Sequence, residues 1–260
     1  MEFEHIAFQV ENGVGRITLN RPNVLNSFNR TMALELQNAL DTCKEKDEIR
    51  AVYLTGEGKG FCAGQDLAEV VADDGPEMTS IVREHYNPII MRIREIEKPV
   101  VCGVNGVAAG AGANIALACD LVFAIESSSF IQAFSKIGLI PDSGGTYTLL
   151  RLVGLQKATA LMMMGDKVSA AEAEKMNMIY KVVADDQLET EAYGTAQKLA
   201  KMPTKGLGLT KRALNLSLNN NLEEQLKVEE KLQTEAGSSH DYNEGVDAFL
   251  NKRKPEFKGK

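Results

Sequence analysis

The stretch that most restricts what this chain can become is Val100–Asp120, VVCGVNGVAAGAGANIALACD. It starts as a short apolar run after Pro99, passes through a turn built almost wholly of glycine and alanine, and resumes at Ala113–Ala118 as good helix formers. Strand, small-residue turn, helix is an order that leaves main-chain N–H groups unpaired at a helix N-terminus, where negative charge is stabilised. Residues without bulk let a ligand come close to that backbone. A crowded strand-to-helix corner in any α/β protein looks the same, so the stretch alone leaves both readings open.

Two similar units flank it. Ala51–Thr55 predicts a short buried strand and runs into the turn GEGKGFCAGQDL, residues 56–67. Leu121–Ile125 predicts another buried strand, Ser127–Ser129 a loop and Phe130–Phe134 an extended piece; GLIPDSGGT, residues 138–146, then opens a helix carrying Leu149, Leu150 and Val153. These units are alike without forming a strict repeat. Upstream, Ile6, Phe8 and Val10 alternate with polar residues, Asn12-Gly13 offers a type I′ turn, and Ile17 and Leu19 alternate again, which predicts a hairpin. Asn26-Ser27 or Asn29 can cap a helix bearing Met32, Leu36, Ala39, Leu40 and Cys43. Met78–Ile96 has helical spacing at Ile81, His85, Ile89 and Ile93, and Pro88 should kink or divide it. Beyond Gly154 the pattern is helical, with capping-box spacing at Ser169–Glu172 and Asn221–Glu224 and a hinge candidate at Pro203.

Composition narrows the function. A net charge of −7 argues against nucleic acid or an anionic membrane surface as a partner. The acidic start MEFEHIAFQV reads as neither a signal nor a membrane segment, and Cys43, Cys62, Cys102 and Cys119 lack CxxC spacing, so the expectation is a cytoplasmic protein with reduced thiols. Only His5, His85 and His240 could supply imidazole, at spacings that pair no two of them, so no metal site is expected. No G-x-S-x-G elbow, G-x-G-x-x-G or phosphate loop occurs. What remains is presented N–H groups, which suit an oxyanion, and an acid at the third turn, Asp142, which could move protons. A helix N-cap is an equally good reading of Asp142, and capping or structural roles are expected of Asp66 and Asp120.

Three motifs taken together, FCAGQDL at 61–67, VNGVAAGAGANIALACD at 104–120 and IGLIPDSGGT at 137–146, resemble the crotonase family of enoyl-CoA hydratases and isomerases. The likeness spans nearly the whole chain. It implies an α/β fold, a spiral of ββα units over residues 1–198 followed by a helical trimerisation region over 199–260, and assembly as a homo-trimer or a dimer of trimers. It also implies an acyl-CoA thioester as substrate, with coenzyme A as part of that substrate and no separate cofactor. By the same resemblance the main-chain N–H groups of Gln65 and Ala111 form an oxyanion hole. Val24, Ala63, Gln65, Asp66 and Leu67 meet the CoA portion, with Lys252, Arg253 or Lys254 helping at its phosphates because Val24 carries no charge.

The departures from the family pattern concern the reaction. The family's hydratases use two glutamates, and the matching positions here hold Asn114 and Phe134, which cannot activate water. Asp142 matches the acid that certain isomerases carry after Ile-Pro. The resemblance therefore implies an acyl-CoA isomerase with weak or absent hydratase activity. It is most like the members that convert the ring 1,2-epoxide of phenylacetyl-CoA to the oxepin, beside other enzymes of that catabolic route. The alternatives are a Δ3,Δ2-enoyl-CoA isomerase, a dehalogenase using Asp142 as nucleophile, or a non-catalytic acyl-CoA- or RNA-binding relative. Tyr86, Ile89 or Ile90, Asn114 and Phe134 are expected around the acyl group.

Overall fold

The computed structural model describes residues 3–260. Its strands are β1 (Ile6–Glu11), β2 (Val14–Leu19), β3 (Ala51–Gly56), β4 (Gly60–Cys62), β5 (Val100–Val104), β6 (Val107–Ala109), β7 (Leu121–Ile125), β8 (Ser129–Ile131), β9 (Lys167–Ser169) and β10 (Lys181–Val183). A six-stranded sheet has the order β1-β2-β3-β5-β7-β10 and a four-stranded sheet the order β4-β6-β8-β9. Consecutive strands therefore step between sheets: β3 to β4, β5 to β6, β7 to β8. Each pair is followed by helix: α1 (Arg30–Glu45) precedes the first pair, α2 (Leu67–Val70), α3 (Met78–Ser80) and α4 (Asn87–Glu95) follow it, α5 (Ala111–Ala118) follows the second and α6 (Gly145–Val153) the third. This is the expected spiral of ββα units. The pairings are parallel except β1 with β2 and β8 with β9.

The local chemistry explains most of these elements. Asn12 and Gly13 both take positive φ, 52° and 78°, as a two-residue hairpin turn requires. Of the candidate caps, Asn29 accepts the Met32 N–H and starts α1. Asn26 is instead buried in the loop, accepting from the Arg21 N–H and donating to the carbonyls of Glu57 and Gly60. The predicted Met78–Ile96 helix is divided just ahead of Pro88. The turns before it widen into a π-segment, Ile81–Tyr86, in which the Asn87 N–H reaches back to the Val82 carbonyl, so α4 begins with the proline already in its first turn. Phe130–Phe134 is not extended throughout. The β8 ladder stops at Ile131, opposite the end of β6 at Ala109, and the freed chain coils into a 3₁₀ turn, Ala133–Ile137, that carries Phe134.

Strand β3 is buried on both faces, as a central parallel strand must be. Val52 and Leu54 join the main core with α1, α4 and α5, while Ala51 and Tyr53 join a second layer with Ala192, Tyr193 and Ala196. The remaining helices are α7 (Leu155–Met164), α8 (Ala170–Lys175), α9 (Gly194–Ala200), α10 (Thr204–Ser217), α11 (Leu222–Gly237) and α12 (His240–Leu250), with full capping boxes at Ser169 and Asn221. Helix α10 is pinned to the body by the buried Lys211 ammonium, which donates to the Ile93 carbonyl and to Asp120 at 2.7 Å each. Asp120 also accepts the Val100 N–H, so its role is structural. Large apolar side chains on α10–α12, among them Leu214, Leu222, Leu226 and Phe249, remain exposed. Among the described residues no helix is long and apolar enough to cross a membrane.

Candidate active site

The first and second glycine turns meet. Gly64 takes φ 94°, and a Cβ there would lie 3.0 Å from the Ala109 carbonyl oxygen and 3.6 Å from the Ala111 nitrogen. The Gly64 carbonyl accepts the Phe28 N–H at 2.7 Å, and the Asp66 N–H donates to the Phe28 carbonyl at 2.9 Å. Because a trans peptide sets C=O and N–H on opposite sides, tying the Gly64 carbonyl to Phe28 turns the Gln65 N–H the other way. The second turn works by the same geometry. The Gly110 carbonyl accepts the Asn114 N–H as the first bond of α5, and the Ala111 N–H is left as an orphan donor of the helix start. Gly110 adopts φ 54° and ψ −127°, a conformation that side chains oppose. Among the described residues neither the Gln65 nor the Ala111 N–H has a hydrogen-bond partner.

Both residues line one cavity of about 230 Å³, together with Ala63, Leu67, Tyr86, Phe134 and Asp142. Val70, Met78, Ile81, Ile137 and Leu139 complete apolar walls, and Lys136 is the cation on the lining. Asp142 is the cavity's carboxylate among the described residues. It is not a cap: α6 starts from Gly144, without a side-chain cap. Its Oδ1 accepts the Ser143 hydroxyl at 2.8 Å, and its carbonyl accepts the Gly145 N–H at 2.8 Å and the Asn114 Nδ2 at 2.9 Å. The next two residues, Ser143 and Gly144, both hold positive φ, 50° and 70°, which frees the acid from the helix. Burial pushes its carboxyl above the usual range, against the Ser143 hydroxyl bond, which pulls down.

Several expected neighbours stand elsewhere. Asn114 is buried behind the wall, where its amide joins Asp142 to Gln132, so it supports the acid without facing the acyl space. Ile90 lies beyond Gly144, in a separate groove with Asn87, Tyr147 and Leu218, because the π-segment sets α4 past the cavity. Ile89 is in the core. Phe134 does form a wall, its ring 3.8 Å from where a Gly110 Cβ would sit. The Asp66 carboxylate is occupied, capping α2 through the Ala68 N–H and pairing with Arg21 at 2.9 Å. Val24 is exposed on a 3₁₀ turn, Pro22–Val24, next to the Ala63–Leu25 main-chain bond. Arg253 is held by Glu244 and Asp247 and is not free for a phosphate of its own subunit.

Sequence reasoning passed over Gln132, Glu69 and Lys136. Gln132 acts through Asn114, well back in the chain, for which sequence offers no local sign; Glu69 sits four residues after Gln65 and is anchored by the distant Arg30 N–H. Tyr86 is the reverse case: its place on an apolar helical stretch signalled burial, and burial keeps its phenol well above the ordinary range and protonated. Its hydroxyl donates to the Gln65 Oε1 at 2.7 Å.

The enoyl-CoA hydratase/isomerase family profile matches residues 9–260. A 1,2-epoxyphenylacetyl-CoA isomerase from Escherichia coli K12 is 48% identical over 99% of both chains. A trans-2-decenoyl-[acyl-carrier-protein] isomerase from Streptococcus mutans is 36% identical over the full length of each. The crystal structure of an enoyl-CoA hydratase from Bacillus anthracis superposes with a TM-score of 0.92 at 33% identity, covering 99% of this chain and 100% of that one. With a family match over nearly every residue and the same fold in the solved structure, the chain belongs to the crotonase family of enoyl-CoA hydratases and isomerases.

Proposed function

We propose that this protein is an acyl-CoA isomerase in which Asp142 carries a proton between two carbons of a thioester enolate. The observation that carries the reading is a cavity with two unpartnered N–H groups and a single, half-desolvated carboxylate among the described residues. The thioester carbonyl accepts from the Gln65 and Ala111 N–H groups; each such donor is typically worth about 3 kcal/mol as negative charge develops on oxygen. Asp142, as carboxylate, removes a proton from the acyl chain and, as acid, returns it elsewhere. Its raised pKa suits both halves of that cycle. With Phe134 and Asn114 at the positions of the hydratase acids, water has no second carboxylate to activate it, so hydration is slow.

The E. coli relative supports a ring-1,2-epoxyphenylacetyl-CoA substrate, in which the C–C bond shared by ring and epoxide opens, both C–O bonds are kept in the expanded seven-membered ring, and Asp142 moves the proton from the carbon beside the thioester to a ring carbon. The second reading is transposition of a double bond in a 3-enoyl thioester, favoured by the isomerase name of the S. mutans relative. Within either, the exposed apolar side chains of residues 199–260 serve trimer assembly, and the protein works in the cytoplasm. Chromatographic separation and NMR of the products from a small acyl-CoA panel separate the two substrates, since isomerisation leaves the mass unchanged. Asp142→Asn should retain acyl-CoA affinity and lose turnover by about 10³-fold or more; undiminished turnover removes the mechanism.

A further inference from the structure

The Gln65 side chain is held at both ends, and neither bond is required by the chemistry described so far. Its Oε1 accepts the Tyr86 hydroxyl at 2.7 Å, and its Nε2 donates to the Glu69 Oε2 at 3.1 Å. Glu69 is itself anchored, its Oε1 accepting the Arg30 N–H at 2.9 Å at the first residue of α1. A chain of side chains thus runs from the π-segment, through Gln65, to the start of α1. The main-chain bonds to Phe28 set which way the Gly64–Gln65 peptide faces, but both lie on the side away from the cavity. On the other side the backbone leaves into α2, a single half-exposed turn followed by a surface loop with Val71 81% exposed.

We propose that Tyr86 and Glu69 are positioning residues that act through the Gln65 side chain to fix the Gln65 N–H against that of Ala111. The π-segment is part of the device: it places the Tyr86 hydroxyl over Gln65 while α4 continues past Pro88. The side chain of Gln65 then has a function separate from its N–H. The inference rests on the carbonyl site of the proposed function but not on the choice of reaction.

The test is a double-mutant cycle of Tyr86→Phe and Gln65→Ala, read at equilibrium without turnover. The probe is acetoacetyl-CoA, whose bound enolate has its own ultraviolet band and grows with the strength of the two N–H donors. Each single variant should lower the bound enolate-to-keto ratio roughly tenfold, and the double variant should lower it no further, because the two changes cut the same link. Binding of free CoA, which has no carbonyl, should be unaltered in Tyr86→Phe. An unchanged ratio in Tyr86→Phe, or losses that multiply in the double variant, overturns the proposal. So does a loss of thermal stability in Tyr86→Phe with the ratio intact, the signature of a merely structural bond. Absence of the band in the unaltered protein overturns the carbonyl site as well. Coupling in the cycle combined with full turnover by Asp142→Asn overturns the reaction and leaves this inference standing.

Discussion

Replacing Asn114 by Leu separates the two uses of one buried amide. Asn114 is 1% exposed, and its Nδ2 and Oδ1 bridge the Asp142 carbonyl and the Gln132 amide at 2.9 and 2.8 Å. Leucine has the same number of side-chain heavy atoms, so no large cavity opens. The Asp142 carbonyl keeps the Gly145 N–H, but Gln132 loses its one side-chain bond, because among the described residues its Oε1 already has no partner. A buried polar group stranded in this way costs about 1–3 kcal/mol. With one of two supports gone, the Asp142 carboxylate also shifts; a displacement of about 1 Å at a reacting group costs roughly 10²-fold in rate. The expectation is a lower urea midpoint, measured at fixed protein concentration, and a kcat reduced roughly tenfold to hundredfold with KM little changed. Adding Gln132→Met removes the stranded amide, and apolar replacement of both partners is close to neutral. The double variant should therefore regain stability and not rate. Recovery of both together, or no stability loss in Asn114→Leu, refutes the assignment of this side chain as a strut for the acid.

Other expectations follow from the same geometry. The Ser143 hydroxyl lowers the Asp142 pKa and burial raises it, so in Ser143→Ala the acid limb of the kcat/KM profile should move to higher pH. A carboxyl whose folded pKa lies above its unfolded value contributes stability at low pH, and that contribution is lost as pH rises through the folded pKa. Asp142→Asn should accordingly raise the melting temperature at neutral pH while abolishing activity, and the gain should vanish in acid, as calorimetry at two pH values would read. Gly110→Ala has room for its methyl, the nearest atoms being Phe134 carbons at 3.8 and 3.9 Å, so its cost is backbone strain of about 1–3 kcal/mol. It should also turn the Ala111 N–H aside and weaken the acetoacetyl-CoA enolate band.

The elements that local chemistry decides were legible in the sequence. The Asn12-Gly13 hairpin, the Asn29 cap, the buried strands around Val52, Val100 and Leu121 and the capping boxes at Ser169 and Asn221 each rest on residues adjacent in the chain. The two turns with unpartnered N–H groups were legible too, because glycine and alanine in such density admit few backbone paths. What sequence left undecided depended on contacts at long range. Asp142 reads equally as a cap or an acid until two left-handed residues are seen between it and α6. Asn114 is expected at the acyl group by the family resemblance and Ile90 by a helix face turned inward, yet Asn114 bonds to Gln132 and Ile90 lies in a separate groove. Arg253 reads as a free cation until its carboxylate partners in α12 are in view.

In the proposed site each oxyanion donor is the reverse face of a peptide whose carbonyl the scaffold itself consumes, so a side-chain exchange can misalign a donor but leaves its N–H in the chain. Changes at positions 114, 134 and 142 would alter the fate of the enolate while leaving the two main-chain donors where they are. In such an architecture a new reaction needs only a new acid on an old cradle.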